Sequence, residues 1–546
     1  MIKNGFLIAV LSLYFCFSGL IVASENQPMS AIDWLGEKIN DPPDFYTFPS
    51  EKNGLAEDSN IEIQVNQLPG VSKNSIGIFG GIRLGLPVDL WSGEYETSIA
   101  YEIEAIPPSK LFRLNRFLKR VLLVEADPPI IDLKEKYSGK LFLKARISKL
   151  ISMGALDDAE ELLKSANPTR DTILLDLWAE VSFLTERLDD FCNTILKVHK
   201  SDMFPAYRVI CLARSGDWNA AALTLATYSS MEKIDTNLEI LLINYLDHEA
   251  ELEIKNKELC LKDIPVLVYL CNFSGIKAYK NTLPIEFLYN NLSRSKSLRA
   301  RIIASEELVR SGALDPNILF ANYKIKQAST SGGVWARVRL VQELDKKLNN
   351  LEAPLPDLLE ILLLTIQEFK ENGLLTQFAH VYGKKIQKIK LNQFSSENQE
   401  KIIAFLLLSR IDLPYPRGDG LLNSTVSTAN KLSISSLGWS ENKKVFKTFQ
   451  VDQSTLLNKV VLDASTGSFP KSRKSTDEIL KLLSQNRTGI VLLKALGLIA
   501  SGYQSDLLDL QIGLASLVRL GLLEEFKNIA SEVLILDYFN KTMERY

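Results

Sequence analysis

The sequence predicts an all-α protein: an α-solenoid of degenerate tetratricopeptide-like helical hairpins with an irregular N-terminal arm. Three observations lead there. First, a short phrase of glycine, any residue, a large apolar residue and a helix-capping residue recurs between apolar segments. It reads Gly154-Ala155-Leu156-Asp157, Gly216-Asp217-Trp218-Asn219, Gly312-Ala313-Leu314-Asp315, Gly373-Leu374-Leu375-Thr376 and Gly521-Leu522-Leu523-Glu524, and once lacks its glycine, as Glu186-Arg187-Leu188-Asp189. Second, apolar residues around these phrases repeat with the period of a helix face. Third, the turn residues Leu156, Leu188 and Trp218 fall 32 and then 30 residues apart (188 − 156, 218 − 188), near the ~34-residue period of tetratricopeptide hairpins. Neither helix of such a hairpin buries its stripe alone, so neighbours must stack into a continuous core.

Composition supports a folded chain. Of 546 residues, 46% are hydrophobic and 24% charged, ordinary values for globular protein. Lys plus Arg number 63 against 66 Asp plus Glu, and so balanced a chain argues against a nucleic-acid or anionic-lipid surface. The basic stretch from Lys110 to Arg120 is interleaved with Leu and Phe at helical spacing, which fits a solvated helix face.

Residues 1–24 read as a signal peptide. Lys3 supplies the basic flank, Gly5 to Val22 is almost wholly apolar, and Val22-Ala23-Ser24 offers small residues for cleavage before Glu25. The alternative is an uncleaved anchor, since about 18 apolar residues just span a bilayer. Bulky Tyr14 and Phe15 before Cys16 do not fit a lipoprotein signal. Residues 25–95 form the expected arm, rich in Pro and Gly, with a short strand at Ile61–Val65 and with Trp34 and Trp91 pinning it to the helices. The Gly80-Gly81-Ile82-Arg83-Leu84-Gly85 run lacks dinucleotide-loop and P-loop spacing and reads as a turn.

Helices begin near Tyr95 and continue as the solenoid to residue 410. Pro107-Pro108 breaks the first, and Ser109 is expected to cap the next, which should run to about Glu125. Leu143, Ile147, Leu150 and Ile151 form one face, Gly154 ends that helix, and Asp157 with Glu160 resembles a capping box for its partner. Leu174, Leu177, Trp178 and Val181, then Leu188, Phe191, Cys192 and Ile195, make the second hairpin. Tyr207, Ile210 and Cys211, then Trp218, Ala221, Ala222 and Leu225, make the third. Trp218 is expected to fill a site between hairpins, so truncating it should cost about 3–5 kcal/mol. Beyond residue 235 the phrase is lost, though Leu238–Leu246 and Ile285–Leu292 still look helical, and Asp315-Pro316 restores a clean helix start. Residues 411–475 turn polar and irregular and read as an insertion; 476–546 are C-terminal helices, Ser475–Ser484 and Thr488–Leu534.

Past the leader remain Cys192, Cys211, Cys260 and Cys271. In an oxidising compartment these are candidate disulfides. Cys192 and Cys211 lie on helices that should stack, whereas Cys260 and Cys271 are simply close in sequence; buried small hydrophobes are the competing reading for both pairs. No CxxC spacing suggests zinc. The chain has 3 histidines, His199, His248 and His380, in separate units and without a metal-binding or triad pattern. Paired acids such as Asp157-Asp158, Asp189-Asp190 and Glu524-Glu525 sit where helices start and suit the helix dipole. The residues therefore nominate no catalytic, cofactor or metal site.

Leu86-Pro87-Val88-Asp89-Leu90-Trp91, the stretch Gly216 to Leu225 and Ser331-Gly332-Gly333-Val334-Trp335 resemble an exported alphaproteobacterial helical-repeat family, tetratricopeptide-like and without an assigned activity. The architecture is also similar to the superhelical domain of soluble lytic transglycosylases, without their catalytic domain. Export and a helical fold are what these resemblances imply. The expected function is a non-catalytic periplasmic scaffold that binds protein or envelope polymer; the alternative is a peptidoglycan-related enzyme or its regulatory subunit, with a site under the 411–475 insertion. No nucleic-acid partner and no cofactor are expected, and membrane contact only through an uncleaved N-terminal segment.

Overall fold

Glycine in the recurring phrase has one backbone task. Gly154, Gly216, Gly312, Gly373 and Gly521 all adopt positive φ, between 64 and 88°, the left-handed residue that ends a helix. Around Gly154 the amides of Gly154 and Ala155 reach back to the carbonyls of Ile151 and Leu150, at 2.7 and 2.9 Å. In the copy without glycine, Glu186 takes the same conformation at φ 55°. There Arg187 N finds the Thr185 hydroxyl at 3.4 Å instead of a backbone carbonyl.

A computed structural model describes residues 72–134, 138–197, 205–250, 260–276, 283–350, 354–389, 391–409, 456–471 and 473–543. The leader, Ile61–Val65, Trp34, His199 and residues 410–455 lie outside them. The described residues belong to one unit, Gly70–Tyr546, and it is mostly helical. The helices are α1 (Glu96–Ala105), α2 (Phe112–Leu123), α3 (Leu141–Ser152), α4 (Leu156–Ser165), α5 (Thr172–Thr185), α6 (Asp189–Ile195), α7 (Pro205–Arg214), α8 (Trp218–Ser230), α9 (Thr236–Leu246) and α10 (Pro265–Phe273). A 3₁₀ segment, Ile285–Leu292, precedes α11 (Leu298–Arg310), α12 (Pro316–Asn322), α13 (Val334–Asn349), α14 (Leu355–Glu371), α15 (Leu375–Ile386) and α16 (Ser396–Ser409). The chain finishes with α17 (Leu456–Ser465), α18 (Lys474–Ser484), α19 (Thr488–Ser505), α20 (Leu507–Arg519) and α21 (Leu523–Met543).

The predicted stripes are the core: Leu143, Ile147, Leu150, Leu156, Leu163, Leu174, Val181, Leu188 and Phe191 are all buried. Helix starts differ from expectation. At α4 the first helical residue is Leu156, so Asp157 lies inside the first turn and makes no cap. At α8 the cap is Asp217, which accepts from Ala220 N, and not Asn219. Asp315 does cap α12, with Pro316 at the first position. Ser109 accepts from Leu111 N at 3.1 Å, one turn ahead of α2.

Several expectations are corrected. Trp218 is 52% exposed, although its helix α8 packs on α7 and α9. The described part of the expected arm, residues 72–95, is pinned by Trp91 as expected, and more deeply than by that residue alone: Leu86, Leu90 and Trp91 are buried in the core and Trp91 packs on Phe142 at 5.0 Å. Phe79–Gly80 pairs in parallel with Val124–Glu125 as a two-stranded sheet, β1 and β2. The backbone of Glu125 lies so close to Gly77 that a Cβ there would sit 2.2 Å from it. Leu456–Ser465 is helical within the stretch expected to be irregular, burying Leu457, Val460, Val461 and Ala464 on one face. Within the expected Thr488–Leu534 stretch the chain turns at Gly521, as its phrase predicts, and breaks also at Asp506, which caps α20 through Leu508 N.

The packing also departs from a simple stack, in which each hairpin meets only its neighbours. The chain doubles back after α9, so that α10 packs on α5 and the 3₁₀ segment packs on α3 and α5. The last helices then return to the first ones: α19 packs on α1 and α2, and α21 on α2. Buried charge directs that return. Glu532 of α21 accepts from the amides of Phe112 and Arg113, at 3.1 and 2.9 Å, and so caps α2 from about 420 residues away. Arg146 of α3 takes the opposite end, donating to Leu122 O at 2.6 Å and Val124 O at 2.8 Å. An anion at the N-terminus and a cation at the C-terminus complement the dipole of α2.

Candidate binding surfaces

Both candidate cysteine pairs are bonded. Cys192–Cys211 joins α6 to α7 with the Cα atoms 4.9 Å apart, and Cys260–Cys271 ties α10 to the turn before it at 5.9 Å. Both separations suit a disulfide. His380 lies edge-on to Phe112, and His248 packs against Phe273, so each described histidine is engaged with an aromatic ring. Among the described residues, no group of three or more His, Cys, Asp and Glu side chains is placed to hold a metal ion.

The paired acids do more than complement dipoles. Asp157, in the first turn of α4, accepts from Arg187 of the next hairpin turn at 2.7 Å. Asp189, at the start of α6, accepts from Arg214 at the end of α7 at 2.8 Å. Successive hairpins are thus laced at one end by the same kind of ion pair. Both pairs are exposed, so each contributes below about 1 kcal/mol, and their consequence is register more than stability.

The 3₁₀ segment lies across these laced ends. Tyr289 donates its hydroxyl to Asp157 Oδ2 at 2.6 Å, its ring sits under the Arg187 guanidinium at 5.7 Å, and Asn290 donates to Glu186. Its other end brings Glu286 toward Glu180, which shares α5 with Asp176 one turn away. Burial raises the Glu180 carboxyl, and the charges of Asp176 and Glu286 add to this, to about 7. Burial raises Glu286 as well, with Asp263 adding to it. Burial also raises Asp176, although the Tyr207 hydroxyl donates to it at 3.1 Å.

A second concavity, a cleft of about 350 Å³, opens between α1, α18 and α19 and is lined by Glu102, Ile106, Ser475, Glu478, Lys494 and Gly497 among others. Lys494 bridges Glu102 at 2.7 Å and Glu478 at 2.9 Å. Burial opposes its charge, but the two carboxylates outweigh that and raise its pKa. Gly497 is unusual in a helix interior, since a Cβ there would meet nothing within 4 Å.

The α8 surface is the third candidate. From Trp218 to Ser230 that helix carries no charged residue, and Trp218 and Leu223 are 52% and 71% exposed, with Met231 just beyond at 52%.

Sequence reasoning found the cysteines and the hairpin-end acids. It missed Glu102, Glu478 and Lys494, which the fold assembles from opposite ends of the chain, and it missed Glu180 and Glu286, whose meeting requires the chain to double back. The charge-free run of α8 was visible, but Trp218 was assigned to the core. No family model matches this chain, and comparison with curated proteins and with solved structures finds no match.

Proposed function

We propose that this chain is a non-catalytic, exported helical-repeat protein that binds a protein partner, or an envelope polymer, in the periplasm. On this reading α3–α8 are degenerate tetratricopeptide-like repeats. The observation that carries the proposal is the exposed, uncharged α8 at the end of the laced hairpins. Large apolar side chains left exposed on an uncharged helix favour an interaction site, and exposed aromatics are the residues that anchor one. Two disulfides suit an oxidising compartment, and among the described residues no helix is long and apolar enough to cross a membrane.

The test is crosslinking of the tagged protein in intact cells followed by mass spectrometry. A reproducible envelope partner should map to α8 and be lost in the Trp218→Glu, Leu223→Glu double variant. Crosslinks that ignore α8, or survive the variant, would overturn the assignment. The second reading, an envelope enzyme or its regulatory subunit, draws on the Glu102–Lys494–Glu478 cleft, which adjoins the end of the expected 411–475 insertion. That reading expects Lys494→Met to abolish an envelope-directed activity.

A further inference from the structure

We propose that the cleft between α1, α18 and α19 is a binding site for a small aliphatic α-amino acid, held by both of its charges. The inference does not rest on partner binding at α8. It begins with α19, whose residues from Gly489 to Ala500 are all buried except Lys494, Gly497 and Leu498, with Ser501 exposed just beyond. Those four positions follow the i, i+3, i+4, i+7 spacing of one helix stripe, and all four line the cleft. Over that stretch the helix is uncovered only along the cleft floor. Gly497 stands in the middle of the floor. Glycine in a helix interior costs stability against alanine, yet a Cβ at Gly497 would meet nothing within 4 Å. Packing within the chain therefore does not ask for glycine there. What the missing methyl keeps open is room for a ligand against the backbone of α19.

The charged row names the class of ligand. Lys494 is bonded to Glu102 at 2.7 Å and to Glu478 at 2.9 Å. An ammonium has three donors, so a third remains for an incoming carboxylate. Glu478 is half exposed and bonded to Lys494 through one oxygen, and its other oxygen can accept from an incoming ammonium. An α-amino acid carries both charges on one carbon, and so meets Lys494 and Glu478 as ion pair on ion pair. A peptide, whose two charges stand on different residues, does not match that spacing. The helix ends lining the cleft have the signs to assist: α18 begins there without a side-chain cap, and α1 ends there, ahead of Pro107 and Pro108, which bring no amide to its last carbonyls. The rest of the wall is aliphatic, from Ala105, Ile106, Pro107, Ile479, Leu493 and Leu498, with no aromatic face on which a sugar ring could stack. Lys149 fixes part of it by donating to Ile106 O. The volume of about 350 Å³ falls at the small end of the ~300–1,000 Å³ that ligand pockets occupy.

Titration calorimetry of the full chain tests this with L-leucine and L-alanine as probes. L-Leucinamide, which lacks the carboxylate, and N-acetyl-L-leucine, which lacks the ammonium, are the controls. At least one of the two amino acids should bind, and each singly charged analogue of leucine should bind at least tenfold more weakly than leucine. Gly497→Ala should raise the thermal midpoint while weakening the bound amino acid roughly tenfold, a combination that a glycine kept only for the fold would not produce. Glu478→Gln, at a half-exposed position, should weaken it by a similar factor with the fold intact. No binding of either amino acid at millimolar concentration would overturn the site. So would a singly charged analogue that binds as well as leucine, or an affinity that either variant leaves unchanged.

Discussion

At the scale of single residues, buried charges here hold their positions through geometry more than through net attraction. Arg337 is 6% exposed and forks onto Glu306, with both contacts at 2.8 Å. Its remaining nitrogen reaches Asn372 at 2.8 Å and Glu368 at 3.1 Å, while Tyr323 donates to Glu306 at 2.8 Å. One guanidinium therefore fastens α11, α13 and α14. Lysine keeps the charge but cannot fork, so Arg337→Lys should cost roughly 3 kcal/mol of unfolding free energy, as breaking a buried pair does; urea denaturation measures it. Trp218 gives the opposite case. With half its surface in water, Trp218→Ala should shift stability by less than about 1 kcal/mol, well below the cost of emptying a core site. Both outcomes bear on legibility. The apolar stripes were readable because periodicity reports which face is buried. Arg337 and Glu306 were not, because a buried charge is betrayed only by a partner distant in sequence. Trp218 was misread because periodicity marks a helix's apolar positions without saying which of them the neighbouring helices cover.

At the scale of elements, the phrase at the hairpin turns was legible because it encodes a left-handed helix end, a requirement local to the chain. Its capping residue was placed correctly at Asp315, which caps α12, but at α4 and α8 the helix starts on the apolar residue and the expected cap falls inside the first turn. Glu186 occupies the position that glycine fills elsewhere, so Glu186→Gly should stabilise by about 0.5–1 kcal/mol, less whatever its contact with Asn290 contributes. Two helix glycines separate conformational cost from packing need. Gly497→Ala should stabilise α19 by about 0.5–1 kcal/mol, because nothing lies where the methyl would go. Gly513→Ala should destabilise, because its methyl would fall 2.6 Å from Ile499 and 2.7 Å from Ala495 O. Thermal melts of the pair should move in opposite directions. The disulfide between α6 and α7 closes a loop of 19 residues, so a Cys192→Ser, Cys211→Ser variant should lose roughly 3 kcal/mol. Non-reducing peptide mapping of freshly isolated protein should recover both linkages.

At the scale of the whole described unit, the sequence pointed to a helical chain but left the return of its last helices unseen. Repeats advertise their neighbours, whereas contacts between α21 and α2 depend on residues more than 400 positions apart. Glu532 is the clearest of these: fully buried, raised in pKa by that burial, yet held by the two free amides at the start of α2. Arg487 on Glu94 and Lys494 on Glu102 tie α19 to the same region. The account's central structural claim is that these links make the hairpins and the terminal helices one cooperative body, in place of an open array that unravels unit by unit. Hydrogen exchange of Glu532→Ala beside the wild type tests it most directly. Leaving two buried amides without an acceptor should cost on the order of 3 kcal/mol. If the unit is cooperative, α2, α19 and α21 should lose protection together and by similar factors. Loss confined to the first turn of α2, with α19 and α21 as protected as before, would contradict the claim.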